Sequence, residues 1–215
     1  FPVNVFSDEA AYDIQYAYLK RKTNDNTIYE RAQFECCGQR YADLSDGNCG
    51  AALLNDCKYG YKIKDNVLDL ALLRSPRFPD AKADIGKHTF TYSFLPHRGN
   101  LVESSVMREA AVLNREVSIF DGMTPGNAEP FCRWLEGENI SLEVVKKAEK
   151  ADCRVIRMVE TAGRRSKGKI CWRNKDVKVW ETNLIEWENG KAAEISDGIQ
   201  EIELKPFEIK TFMVK

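Results

Sequence analysis

An alternation of period two runs through most of this chain and restricts its fold more than any other feature. In extended backbone successive side chains point to opposite faces, so a strand with one covered face reads apolar, polar, apolar. Residues 11–19 place Tyr12, Ile14, Tyr16 and Tyr18 on one face, and residues 89–95 oppose Phe90, Tyr92 and Phe94 to Thr91, Ser93 and Leu95. Residues 67–73 give a more continuous apolar strand between Asp65-Asn66 and Ser75-Pro76, after which Pro76 and Pro79 open a loop. Further along, residues 140–147, 153–160, 169–172, 178–187 and 200–214 read as short strands. Ala162-Gly163, Asn189-Gly190 and Asp197-Gly198 are the turn signals between them, and Pro206 marks an edge or a bulge in the last strand. Aromatic enrichment after Pro130 adds residues 131–136 as a strand. So many short strands predict a sandwich.

Helical spacing occurs convincingly once, where Val102, Val106, Ala110 and Leu113 recur at three and four after an Asn100 or Ser104 cap. The expected fold class is therefore all-β with one linking helix. It divides into residues 1–102, a helical linker at 103–117, and a small antiparallel β-sandwich at 118–215.

Charge argues against several function classes. The 32 basic and 33 acidic residues nearly cancel, so no strong field draws the chain to nucleic acid or to an anionic membrane. No apolar run approaches the roughly 20 residues of a membrane helix, and residues 1–10 carry no secretion signal. A start at Phe-Pro-Val without Met fits a trimmed or excised piece. Seven cysteines are an odd number and Cys36-Cys37 are adjacent, which favours a reducing, cytoplasmic setting with Cys36, Cys37, Cys49, Cys57, Cys132, Cys153 and Cys171 all as thiols. With His88 and His97 the only histidines, and no Cys-x-x-Cys, His-x-x-x-His or His-x-Asp, a zinc site built within the chain is not expected.

Residues 53–61 read Leu-Leu-Asn-Asp-Cys-Lys-Tyr-Gly-Tyr, and Leu72-Leu-Arg-Ser-Pro76, Pro79-Asp80, Asp84, Gly86, His88, Phe90, Thr91-Tyr92, Pro96-His97 and Gly99 follow in order. The series is similar to a segment of the cytosolic and bacterial family 38 α-mannosidases, with their Pro-Asp, Asp-x-Gly-x-His-x-Phe-Thr-Tyr and Pro-His-x-Gly. Weaker likeness at Tyr12-Asp-Ile-Gln15, Asp43-Leu-Ser45, Lys146-Lys-Ala-Glu149 and residues 206–211 extends it over almost the whole chain. Two stretches depart from the pattern. Thr23-Asn-Asp-Asn-Thr27 lacks the histidine of Thr-His-x-Asn-Thr, and Gly38-Gln-Arg-Tyr41 replaces Ala-His-Arg-Trp.

The resemblance implies that residues 1–102 are the carboxy-terminal part of a large β-supersandwich of the galactose-mutarotase-like type, ahead of the small sandwich. Family members are retaining glycosidases, whose two carboxyl groups stand about 5–5.5 Å apart. By the same resemblance the aspartate nucleophile and a zinc ion belong to an amino-terminal catalytic domain, so this chain alone is expected to be inactive and to hold no cofactor. It would serve as scaffold and substrate-groove wall of an α-mannosidase that hydrolyses terminal α-mannose from oligosaccharides. The expected partners are that catalytic domain and a mannose-containing oligosaccharide; a homo-oligomer is also allowed, and neither nucleic acid nor membrane is expected. At the groove the resemblance places Asn55, Asp56, Lys58, Tyr59, Gly60 and Tyr61. Lysosomal relatives carry Asp-Arg-Ser-Gln-Gly-Gly there, so Asp56 matches, Cys57 replaces arginine, Lys58 takes over the charge and Gly60 permits a tight turn.

Other readings of these residues stay open. Tyr59 and Tyr61 alternate as packed strand aromatics do, and His88 and His97 suit backbone hydrogen bonds at a sheet edge and a turn. Arg74 either orients the groove loop or pairs with a carboxylate; Glu143, Glu149 and Glu160 read as solvated strand residues. Trp134, Trp172, Trp180 and Trp187 suit core packing, or the platform of an independent carbohydrate-binding module. The run Arg164-Arg-Ser-Lys-Gly-Lys169 reads as a hairpin tip. A purely structural domain is the third reading.

Overall fold

The computed structural model describes residues 1–33, 35–115, 118–119, 121–122, 130–137 and 139–215; the expected linker residues 116–117 lie outside these. The chain splits into two compact units, Phe1–Ser118 and Ile119–Lys215. Both are built from antiparallel sheets, so the structure has the all-β class that the alternation predicts.

The first unit runs through β1 (Glu9–Ile14), β2 (Ala17–Lys22), the single-turn α1 (Ile28–Arg31), β3 (Cys36–Cys37), β4 (Tyr41–Ser45), β5 (Cys49–Asn55), β6 (Gly60–Lys64), β7 (Val67–Leu70) and β8 (Tyr92–Arg98). A 3-10 turn (Leu101–Glu103) and α2 (Val106–Asn114) close it. The strands form two sheets, ordered β2-β1-β4-β5-β8 and β3-β6-β7. Ala10, Tyr12, Ala42, Leu44 and Leu53 pack on one face of the larger sheet with Tyr61, Ile63 and Leu68. On its other face Ala11, Tyr41, Ala52 and Leu54 meet Leu101, Val106 and Ala110 of the helical segment. Because both faces are covered, β5 needs no alternation and reads Ala-Ala-Leu-Leu at residues 51–54.

The helical spacing is present but interrupted. The Asn100 carboxamide oxygen accepts the Val102 and Glu103 amides at 3.0 and 3.2 Å, and the Glu103 carboxylate accepts the Asn100 amide, a capping box that starts the 3-10 turn. Helix α2 then begins after Ser104-Ser105.

Three strand expectations need correction. Residues 11–19 form a hairpin, not one strand, with Tyr16 in the turn at φ 60° and exposed. Its turn is Gln15-Tyr16, without glycine or proline, so the apolar alternation passes through it undisturbed. The apolar strand at 67–73 stops at Leu70, leaving Leu72 and Leu73 exposed. The strand expected at 89–95 begins only at Tyr92 and lies at the sheet edge, where Pro96 costs no interior ladder bond and Tyr92 and Phe94 face outward.

The second unit contains β9 (Cys132–Glu136), β10 (Ile140–Lys147), β11 (Arg154–Glu160), β12 (Ser166–Trp172), β13 (Val179–Thr182), β14 (Asn189–Ala192), β15 (Ile195–Ser196), β16 (Ile199–Leu204) and β17 (Ile209–Val214). Its sheets are ordered β10-β11-β17-β13-β14 and β15-β16-β12-β9. Ile156, Met158 and Phe212 of the first meet Ile170, Trp172, Ile202 and Leu204 of the second in one core. Strands β12 and β16 alternate strictly, sending Lys167, Glu201 and Glu203 to solvent.

Here too the strand ends move. The strand expected at 178–187 ends at Thr182, and Asn189-Gly190 lies in β14 rather than in a turn. Asn183 makes the reversal earlier: its side-chain oxygen accepts the Trp187 amide at 3.0 Å and its carbonyl accepts the Glu186 amide at 3.0 Å. Residues 200–214 are two strands, with Pro206 in the turn between β16 and β17. Of the basic run at 164–169, only Arg164-Arg165 precede β12.

Glu160 overturns its reading as a solvated carboxylate, for it is 0% exposed. Its oxygens accept the amides of Ala162, Gly163, Arg164 and Phe207 at 2.9–3.2 Å and the Ser166 hydroxyl at 3.0 Å. A carboxyl group is tolerated at such depth only when its oxygens are so fully hydrogen-bonded, and here it ties two turns together.

Candidate functional site

The segment 55–61 is held from one side chain. Asn55 ends β5, is 1% exposed, and its carboxamide oxygen accepts the amides of Cys57 and Lys58. Its carboxamide nitrogen donates to the Gln39 carbonyl at 3.1 Å and to the Tyr61 hydroxyl. The Asn55 amide donates to Arg40 O at 3.0 Å, and its carbonyl accepts from Asn114 at the end of α2, also at 3.0 Å. An asparagine beginning a loop offers this Asx geometry because its acceptor reaches amides two and three residues on. Sequence reasoning chose Asn55 as a sugar contact and missed it as the anchor.

The six expected site residues separate into an inner and an outer set. Tyr61 is 1% exposed and packs in the core, and its hydroxyl donates to Gln39 O at 3.2 Å. Gly60 starts β6 in ordinary extended backbone, not a tight turn, and accepts the Ala71 amide at 2.8 Å. A methyl group there would stand 3.1 Å from the Ala71 Cβ, so close strand approach is the reason for glycine. Asp56, Lys58 and Tyr59 form the outer set, with Tyr59 60% exposed.

The outer set meets the segment that follows β7. The Asp56 amide donates to Thr91 O at 3.1 Å and the Thr91 amide returns to the Asp56 carboxylate at 3.0 Å. Hydrogen bonds from the Cys57 thiol and the Thr91 amide hold the Asp56 carboxyl below the usual carboxylate range. The Lys58 ammonium sits 4.7 Å from the centre of the Phe90 ring. Asp84 lies within reach of the Lys58 charge; the Ser75 and Arg74 amides, with His88 and Lys58 beside them, hold its carboxyl low. His88 contacts the Asp84 carbonyl at 3.0 Å, the backbone role expected of it. Arg74 meets Asp84 through its amide. The result is a polar, aromatic surface that carries both charge signs and is fixed by backbone hydrogen bonds.

The second histidine lies elsewhere. His97 on β8 is 5% exposed in its side chain and reaches past β5 to the buried Asp43 of β4, Nε2 to Oδ1 at 2.6 Å, while Nδ1 faces the Arg98 carbonyl at 3.2 Å. Gly50 makes the crossing feasible, because a Cβ there would fall 2.5 Å from the imidazole. Burial lowers the His97 pKa, but the hydrogen bond and charge of Asp43, with the Arg98 carbonyl, outweigh it and raise it above the ordinary imidazole value. Sequence reasoning expected a turn contact here and had no signal for the Asp43 pairing.

Among the tryptophans, Trp172 belongs to the core and donates to Gln200 at 3.1 Å, whereas Trp187 is exposed beneath the Lys150 ammonium. All seven cysteines are unbridged. Among the described residues no group of three or more His, Cys, Asp or Glu is placed to hold a metal ion, and no helix is long and apolar enough to cross a membrane.

Residues 1–82 match the glycosyl hydrolases family 38 C-terminal domain, and residues 139–212 match the family 38 C-terminal beta sandwich domain. Alpha-mannosidase 2C1 of Homo sapiens is 37% identical over 190 residues, covering 86% of this chain and 18% of that protein. Alpha-mannosidase G of Dictyostelium discoideum is 37% identical over 212 residues, 94% of this chain and 19% of its own length. The crystal structure of an alpha-mannosidase from Enterococcus faecalis superimposes with a TM-score of 0.75 at 20% identity, over 99% of this chain and 25% of that one. This chain thus spans about a fifth of the length of the curated relatives it matches. It belongs to glycosyl hydrolase family 38, as the carboxy-terminal β-sheet region of such a protein.

Proposed function

We propose that this chain is the non-catalytic carboxy-terminal part of a cytoplasmic α-mannosidase acting on terminal α-mannose of oligosaccharides, with residues 55–61 as a wall of its substrate groove. Residues 1–102 complete a larger sandwich in that enzyme, and residues 118–215 form the small one. The nucleophile and zinc belong to the amino-terminal catalytic domain, the chain's main partner. The observation that carries this reading is the clamped loop: Asn55, Gly60 and Tyr61 fix the backbone from inside, so Asp56, Lys58 and Tyr59 are presented without further ordering. A carboxylate, an ammonium and an aromatic face are the groups that bind sugar hydroxyls and C–H surfaces.

Lys58→Met in the full-length enzyme tests it. Loss of one charge-assisted hydrogen bond costs roughly 1.5–3 kcal/mol, about a ten- to hundredfold fall in kcat/KM on an aryl α-mannoside. A fall confined to KM marks uniform binding, whereas equal falls in kcat and kcat/KM mark a contact made in the transition state. Unchanged kcat/KM in a folded Lys58→Met enzyme rejects the groove assignment.

A further inference from the structure

A cleft of about 1000 Å³ opens at one end of the second unit, where the end of β12 meets the ends of β10, β11 and β17. Phe131, Lys147, Asp152, Arg154, Trp172 and Arg173 are among the residues that wall it. Strand β11 sends Met158 and Ile156 into the core, and the next position on that face is Arg154. Its direct register partner is Lys147 on β10. Like charges directly opposite across a ladder are destabilising, so this pair costs the fold something that an anion between them would relieve.

The remaining walls sharpen the chemistry. Arg154 lies over the Phe131 ring, 5.4 Å from its centre, and the Phe131 carbonyl accepts the Arg173 amide at 3.0 Å, so both guanidinium groups start from ordered backbone. Lys146 is neutralised by Glu149 and Glu186, but Lys147, Arg154 and Arg173 have no ion-pair partner among the described residues. Among the side chains that wall the cleft the one carboxylate is Asp152, so Lys147, Arg154 and Arg173 exceed it by two positive charges. A phosphate monoester carries about −1.5 to −2 charge near neutral pH, and guanidinium forks match its oxygens.

We propose that this cleft binds a small phosphate monoester, a site separate from the 55–61 loop and independent of the mannosidase reading. Arg154 and Arg173 grip the phosphate, Lys147 adds a point charge, and the Phe131 and Trp172 side supplies an apolar wall. Trp172 provides the reporter. Glucose 6-phosphate titrated into the chain is expected to change tryptophan fluorescence saturably at one equivalent, inorganic phosphate to compete, and glucose to do neither. Arg173→Glu, on an exposed loop, is expected to raise the Kd at least tenfold with an unchanged melting temperature, and Arg154→Gln to do the same. Lys191→Glu, on β14 outside the cleft, leaves binding unaltered. Absence of saturation, failure of inorganic phosphate to compete, binding of glucose equal to that of its phosphate, or an Arg173→Glu Kd within twofold of the parent would overturn the proposal.

Discussion

The two units spend their apolar residues differently. In the second, two sheets close on one main core, a smaller cluster of Ala148, Val155 and Met213 covers part of the other face of one sheet, and the exposed large apolar side chains include Leu184, Ile185 and Trp187 in the β13–β14 connection. In the first, the larger sheet is covered on both faces, yet Phe1, Phe6, Leu73, Phe78, Ile85, Tyr92 and Phe94 remain exposed, and Phe1 stacks on Phe94 at 5.4 Å. Isolated surface leucines need no explanation, but a collection of aromatics on an edge strand and its preceding loop does. The proposed function supplies one: this chain spans about a fifth of the curated relatives it matches, and on that reading the first unit contributes to a larger sheet assembly while the second forms the small sandwich.

Dissection gives the sharpest test of this contrast. Residues 119–215 made alone are expected to unfold cooperatively, with dispersed amide resonances, whereas residues 1–118 alone are expected to bind hydrophobic dyes and aggregate. A cooperative, monomeric 1–118 fragment would break the comparison outright.

Next in size is Glu160→Ala, which strips a buried acceptor from four amides and the Ser166 hydroxyl. The expected cost is about 3–5 kcal/mol, read by denaturant melts of the second unit, with Glu160→Gln falling between. A loss under about 1 kcal/mol would mean that water replaces the carboxylate and that the turn is not tied by it. Smaller again is Gly50→Ala in the first unit. The added methyl meets the His97 ring at 2.5 Å, so about 1–3 kcal/mol of overpacking is expected, together with a displaced imidazole resonance.

These tests fall where the sequence was least readable. Alternation and turn residues revealed strands of the second unit where one face is wet, as in β12 and β16, while β11 and β17 read as apolar runs because both their faces are covered. They misplaced strand ends at Gln15-Tyr16 and at Asn183, where the chain reverses without Gly or Pro. Polar burial was illegible altogether: Glu160, Asp43 and His97 look like surface residues until strands distant in sequence bring their partners to them. The same holds for the loop, where the resemblance named residues 55–61 together but only the fold divides Asn55 and Tyr61, which hold it, from Tyr59, which faces outward.

The smallest expected effect opposes the two units at the two ends of the pH scale. His97 has a folded pKa above its reference value of 6.5, so the folded state holds a proton that the unfolded chain releases. Its contribution is full below that reference value and disappears as pH rises through the folded pKa, because Asp43 and the Arg98 carbonyl then face an imidazole with one donor too few. Glu186 in the second unit behaves in reverse. Burial raises its pKa, but the Glu149 amide and the Lys146 ammonium outweigh that, and the folded value lies below the reference 4.5. Its contribution is full above that value and fades as pH falls through the folded pKa. Each pKa unit of difference is worth about 1.4 kcal/mol. Separate probes of the two units are therefore expected to show the first losing stability as pH rises from 6.5 through the folded pKa of His97, and the second as pH falls from 4.5 through that of Glu186. His97→Gln should flatten the first slope and leave the acid limb unchanged. A slope above pH 6.5 that survives His97→Gln would show that another group carries it, and the contrast between the units would then rest on apolar exposure alone.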